Sequence, residues 1–143
     1  KVTLRIAAQY AQYTNFAGTP DEFEAKSALL KGHCDDLGTD FGAITRSANY
    51  NTVIGATEAE VQDRIKAIIA RVTPYIGADR AEAFRAQNLS GDALAVGTPE
   101  QVVERLTDMK KRGMTYAIHN FPESAYDRSG VELFEREVIP ALA

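Results

Sequence analysis

The sequence contains one cysteine, no long apolar run and no basic tract. Each absence removes a class of protein. Cys34 alone cannot form an internal disulfide and has no CxxC partner for a structural zinc site, which suits a reducing compartment. The purely apolar runs are only a few residues long, against the roughly 20 needed to cross a bilayer. No charged-then-apolar signal segment opens the chain, so a cytoplasmic protein without membrane attachment is expected. Sixteen Lys and Arg against twenty Asp and Glu give a net charge of -4. With no aromatic ladder either, nothing supplies the phosphate-neutralising footprint of a nucleic-acid binder.

What is present is 143 residues, 45% hydrophobic and 25% charged, enough for one core and one domain over 1–143. The first residue is Lys1 rather than Met and leads straight into a helical pattern. Sequence upstream is therefore expected.

Val2 to Tyr10 suits a short, largely buried helix, and Tyr13 to Phe16 a short strand. Thr19, Pro20, Asp21 and Glu22 then form a capping box: a hydroxyl cap, proline at the first helical position, and a carboxylate that can bond back to the cap amide. The helix it opens runs to Leu37, with Gly38 as its C-cap. Ile44 to Ile54 reads as a strand, unusually polar because of Arg46, Ser47, Asn49 and Asn51. Thr57 and Glu60 repeat the box before a helix that ends near Pro74 to Gly77, and Asp79 to Gln87 follows as a shorter helix. Ala93 to Val96 is apolar. A third box, Thr98, Pro99, Glu100 and Gln101, opens a helix stopped by Gly113. Met114 to Phe121 is the clearest strand, and Val131 to Ile139 belongs to a last helix.

Strands alternating with helices of about 10 to 18 residues predict an α/β protein with βαβ units and a parallel sheet. Three to four such units make half of a (β/α)8 TIM barrel, which leaves two open sheet edges. The missing half of the barrel or a second copy in a homodimer is the expected partner. A half barrel serving only as an assembly or binding module is the alternative without catalysis.

Four groups of residues invite chemistry. Lys1 and Thr3 at a helix N-terminus could join its free amides around an anion. His119 and Asn120 lie near the C-terminal end of the clearest strand, where barrel enzymes place active-site groups, and alternation lets only one of them face the lumen. A histidine satisfied between strand and helix is the competing reading for His119. Arg128, in the loop that follows, could meet an anionic substrate or cofactor tail. His33 and Cys34 point about 100° apart on a helix and do not share a ligand, so no metal site is expected.

The segments TLRIAAQYAQYTNF, TPDEFEAKSALLKGHCDDLG, GTPEQVVERL and VELFEREVIPAL, in this order and spacing, resemble the C-terminal half of luciferase-like F420-dependent oxidoreductases. The resemblance covers nearly the whole chain. It implies an oxidoreductase that exchanges hydride between the deazaflavin coenzyme F420 and an organic substrate, or a monooxygenase that uses FMN in the same barrel. It also implies that a glycine-rich turn before the TLR segment holds the cofactor phosphate, so that Lys1, Val2 and Thr3 fall on the first turn of the phosphate-binding helix. Asn15 is the implied contact at the cofactor edge, although Gln12 and Tyr13 stand where the family commonly has an acidic residue and a bulky aromatic. His119, Asn120 and Arg128 are the candidate substrate contacts by their place at the strand end and in the loop after it, apart from the resemblance. The catalytic acid and base, by the same resemblance, lie upstream.

Overall fold

The structure, a computed structural model, describes residues 2–143, so Lys1 lies outside the described residues. Its elements are α1 (Val2–Tyr10), β1 (Tyr13–Asn15), α2 (Pro20–Leu37), a 3-10 turn at Phe41–Ala43, β2 (Thr45–Asn51), β3 (Val53–Ile54), α3 (Glu58–Ile76), α4 (Ala78–Asn88), β4 (Val96–Gly97), α5 (Pro99–Lys111), β5 (Tyr116–Asn120), α6 (Ser129–Leu133), a π turn at Phe134–Val138, and α7 (Ile139–Leu142). The alternation is that of an α/β protein. Three strands form one sheet in the order β1-β2-β5, and β3 pairs with β4 in a second. Both β1 with β2 and β3 with β4 are parallel, as crossover helices require.

The chain divides into two units, one made of the residues up to Asn49 with Asp108–Ile118, the other of Tyr50–Thr107 with His119–Ala143. In the first, Tyr13, Thr14 and Asn15 pair with Thr45, Arg46 and Ser47. Helix α2 starts on the Thr19 capping box, with Glu22 bonded back to the Thr19 amide at 2.8 Å, and ends on Gly38 in the left-handed region at φ 67°. It buries Phe23, Ser27, Leu30 and Cys34, a stripe at helical spacing, and Phe23 packs edge-on against Phe16.

Helix α1 differs from its expected burial. Only Ala8 is buried, while Val2, Ile6 and Tyr10 are 74%, 55% and 75% exposed. These three recur every four residues, so one apolar stripe of α1 faces away from its own unit.

In the second unit Val53, Val61, Ile65, Ile68, Leu89 and Val96 form the core, flanked by Ile69, Phe84 and Ala93. The polar strand predicted over Ile44 to Ile54 is interrupted at Thr52, whose amide bonds to Asn120 O while the next amide, of Val53, bonds to Ala95 O. Successive amides of an extended chain point to opposite sides, which is how this short stretch serves two neighbours. Gly97, at φ 153°, precedes the third box, where a Cβ would run into the Gln101 side chain that returns to the Thr98 amide. The last helix is not uniform: the π turn buries Phe134 and Val138.

Candidate functional site

In the first unit the C-terminal end of β1 carries Asn15, exposed, whose Nδ2 donates to Asn49 Oδ1 at 2.8 Å. Beneath this pair Ser47 Oγ donates to Thr14 O at 3.0 Å and Thr14 Oγ1 to Thr45 O. Two exposed amides thus stand on a hydrogen-bonded strand pair. Val2 and Thr3 sit in the first turn of α1, both exposed, and that turn contains no acidic residue. Helices α2 and α3 differ, since each has carboxylates in its first turn and a threonine hydroxyl that accepts from a first-turn amide. The α1 start therefore suits an anion supplied from outside the helix.

Elsewhere in this unit Arg46 is buried and spends its donors on main-chain oxygens. Nε reaches Gly113 O at 2.8 Å, and Nη1 reaches Phe41 O at 2.9 Å and Ile44 O at 2.7 Å. Its guanidinium carbon lies 4.1 Å from the centre of the Phe41 ring. Burial lowers its pKa, yet a guanidinium remains charged. Arg46 holds a turn together. Cys34 is fully buried, in keeping with a small hydrophobe.

In the second unit the alternation along β5 separates the two expected residues. His119 turns toward the packed side: its Nδ1 lies 2.8 Å from Thr52 Oγ1, and its ring stacks 4.5 Å from Phe134 and 5.6 Å from Tyr50. Burial pushes its pKa down to about 4, so the ring is neutral at physiological pH. That environment matches the satisfied histidine weighed for the sequence. Asn120 is exposed and opens a chain of amides. Its Nδ2 donates to Asn51 Oδ1 at 2.9 Å, Asn51 Nδ2 donates to Asn88 Oδ1 at 3.1 Å, and Asn88 Nδ2 donates to Phe84 O at 3.1 Å.

Arg128 is exposed in the segment between β5 and α6. The segment is fixed by Arg64 on α3, which bonds Glu60 Oε1 at 2.6 Å, Glu123 Oε1 at 2.9 Å and Ser129 Oγ at 2.7 Å, with Asp127 at 3.4 Å. Ser129 passes the contact on by donating to Asp127 at 2.7 Å. Burial raises the pKa of Glu123 despite the adjacent Arg64, whereas hydrogen bonds from Arg64 and from Ser129 lower those of Glu60 and Asp127 respectively. Among the described residues no group of three or more His, Cys, Asp or Glu side chains is placed to hold a metal ion, and no helix is long and apolar enough to cross a membrane.

Asn51, Asn88 and Arg64 went unassigned in the sequence. The polar strand around Asn49 and Asn51 was the one visible signal. Asn88 lies 37 residues from Asn51, and Arg64 lies 59 residues from Glu123.

No protein-family model and no curated protein matches the sequence. Solved structures do. A coenzyme F420 dependent tetrahydromethanopterin reductase from Methanopyrus kandleri superposes with a TM-score of 0.70 at 18% identity, over 99% of this chain and 48% of that one. EDTA monooxygenase from Chelativorans sp. BNC1 gives 0.66 at 22% identity, over 97% of this chain and 41% of that one. An F420-dependent secondary alcohol dehydrogenase in complex with an F420-acetone adduct gives 0.66 at 14%, over 98% and 46%. The fold is that of half a luciferase-like barrel. This half barrel spans a little under half the length of the structures it matches, and Asn15 and Asn120 stand at the C-terminal ends of its strands, the end at which such barrels carry their chemistry.

Proposed function

We propose that the chain is the C-terminal half of a luciferase-like oxidoreductase that uses coenzyme F420. The observation that carries this reading is the superposition of almost the entire chain on an F420-dependent reductase. Bound F420 would supply two-electron hydride chemistry with an organic substrate. In the first unit, the α1 start with Lys1, Val2 and Thr3 takes the cofactor phosphate, and the Asn15 amide meets the cofactor edge. A first turn free of carboxylates supports the phosphate contact. In the second unit, Asn120 and Arg128 face the substrate, while His119 supports them from the packed side of β5.

FMN is the second reading, favoured by the monooxygenase among the superposed structures. Titrating the protein with F420 and with FMN, followed by fluorescence, separates the two. Tighter binding of F420 is expected, and a micromolar preference for FMN would overturn the choice.

The catalytic acid and base are proposed to belong to the other half of the barrel. Exposed apolar groups in the first unit support a partner: Val2, Ile6 and Tyr10 on α1, and Tyr13, Tyr116 and Ile118 on the strands. The N-terminal half of the barrel or a second copy would cover them. Sizing of the chain in solution tests this, and a stable monomer would sink it. A half barrel acting only in assembly remains the reading to prefer if neither cofactor binds.

A further inference from the structure

The amides of Asn120, Asn51 and Asn88 form a chain whose direction is set at one end. Phe84 O can only accept, so Asn88 must turn Nδ2 toward it and Oδ1 toward Asn51. Asn51 must then present Nδ2 to Asn88 and Oδ1 to Asn120, which in turn must spend Nδ2 on Asn51. The usual interchangeability of amide oxygen and nitrogen is thereby removed at all three positions. Asn120 is left with Oδ1, both of its lone pairs, and the second N–H of Nδ2. Among the described residues no donor is bonded to that oxygen. Asn51 and Asn88 are half-buried and Asn120 is exposed, while the Thr52 amide, bonded to Asn120 O, holds the backbone beneath.

We propose that Asn51 and Asn88 are positioning residues that keep Oδ1 of Asn120 unspent as a hydrogen-bond acceptor at the end of β5, so that the ligand group held at that oxygen is a donor, a hydroxyl or an N–H. A chain with the opposite polarity would show two N–H groups to the ligand and favour a carbonyl or ether oxygen. This inference rests on the reading of the strand end as a binding rim, and it adds the polarity of the group bound there. A site built to accept discriminates against a ligand lacking the donor, because its own oxygen is then desolvated without a partner.

The test uses the 143-residue chain, labelled with 15N and 13C, in the assembly with the other half of the barrel or a second copy that covers α1 and the exposed strand residues. Exchange of the side-chain amide protons is read first, in the wild type and in Asn88→Ala, with Asn88→Ser as the milder variant should the first not fold. Loss of the anchor is expected to speed exchange at Asn51 and Asn120 about fivefold, the factor that one net hydrogen bond represents. Unchanged exchange at Asn120 in a folded variant overturns the relay. Cyclohexanol and its methyl ether then serve as matched probes, followed at the Asn120 side-chain carbonyl carbon. The alcohol is expected to bind about fivefold more tightly than the ether in the wild type, with the ratio falling toward one in the Asn88 variant. Equal binding, or preference for the ether, overturns the acceptor assignment. Silence toward both probes beside an intact relay overturns the binding rim itself, and thus the proposed function rather than its polarity.

Discussion

Arg46 in the first unit and Arg64 in the second are both largely withdrawn from water, and they are stabilised by opposite chemistry. Arg46 meets three carbonyl oxygens and the face of Phe41. Arg64 meets the carboxylates of Glu60, Glu123 and Asp127. Carbonyl oxygens carry no proton to lose or gain, so the first arrangement is indifferent to pH. Carboxylates titrate, so the second is conditional. The difference follows location: Arg46 closes a turn within a strand layer, whereas Arg64 ties helix α3 to the segment that carries Arg128, beside the proposed substrate contacts.

The largest expected effect is at Arg46. Arg46→Met removes the donors of three carbonyl oxygens in a buried place, and should cost about 4 kcal/mol. The loss should be equal at pH 7 and pH 5, measured by urea unfolding. A clear dependence on pH would break the contrast at its root.

Arg64→Met comes next, at about 3 kcal/mol at pH 7, because it strands a buried Glu123 carboxylate. Here the sign of the pH dependence is fixed by two opposite shifts. Glu123 has its pKa raised by burial, so its unfavourable contribution appears as pH rises and vanishes below the pKa of the unfolded chain. Glu60 and Asp127 have lowered values, so the stability they add is present at neutral pH and disappears as pH falls through their folded values. Without Arg64 the Glu123 penalty is larger, so its relief on acidification is larger in the variant and narrows the gap from pH 7 downward. Loss of the Glu60 and Asp127 contributions narrows it further only below the ordinary carboxylate range. A gap that widens between pH 7 and pH 5 would contradict the arrangement.

These two arginines also mark how far the sequence could be read. The helix starts at Thr19, Thr57 and Thr98 were visible because the boxes that signal them span three residues, and the helices began where they indicated. The full reciprocal box forms at Thr19, whereas Glu60 bonds the Ala56 amide instead of that of Thr57. Gly38 was visible as a C-cap for the same local reason. The polarity of the strand around Arg46, Ser47, Asn49 and Asn51 was visible without its cause. Arg46 bonds Gly113, and Asn51 bonds Asn88 and Asn120, partners that only the folded chain brings near. Burial of α1 was overestimated because an apolar stripe does not announce whether its cover lies within the chain. Alternation along β5 separated His119 from Asn120 correctly, but which face was packed depended on Phe134 in a π turn that no local pattern specifies. At the proposed site, then, the exposed rim residues were nameable and the residues behind them were not.

His119 gives a second titrating feature to the unit that holds Arg64. Its folded pKa, about 4, lies below the ordinary histidine value, so the neutral ring contributes stability above pH 6.5 that is lost as pH falls toward 4. His119→Phe fills the space against Phe134 and does not titrate. Between pH 7 and pH 4.5 the wild type should lose about 2 kcal/mol more than this variant, the figure allowing for the partial exposure of the ring. Parallel stability curves would show that the histidine is not desolvated as the packing indicates.

The smallest effect compares the helix starts of the two units. In α2, Glu22 bonds the Thr19 amide, a task that needs one acceptor oxygen and no charge. Gln101 performs the same task for Thr98 at the start of α5. Glu22→Gln should therefore cost less than about 0.5 kcal/mol. At α3, Glu60 serves twice, bonding the Ala56 amide with one oxygen and Arg64 with the other. A glutamine there can keep the cap or face the arginine, but its amide nitrogen repels one of the two donors. Glu60→Gln should cost about 1 kcal/mol, and the excess over Glu22→Gln should disappear in the Arg64→Met background. An equal cost at both starts would mean that Glu60 adds nothing to the hold on Arg64, and that the conditional character of the second unit rests on Glu123 and Asp127 alone.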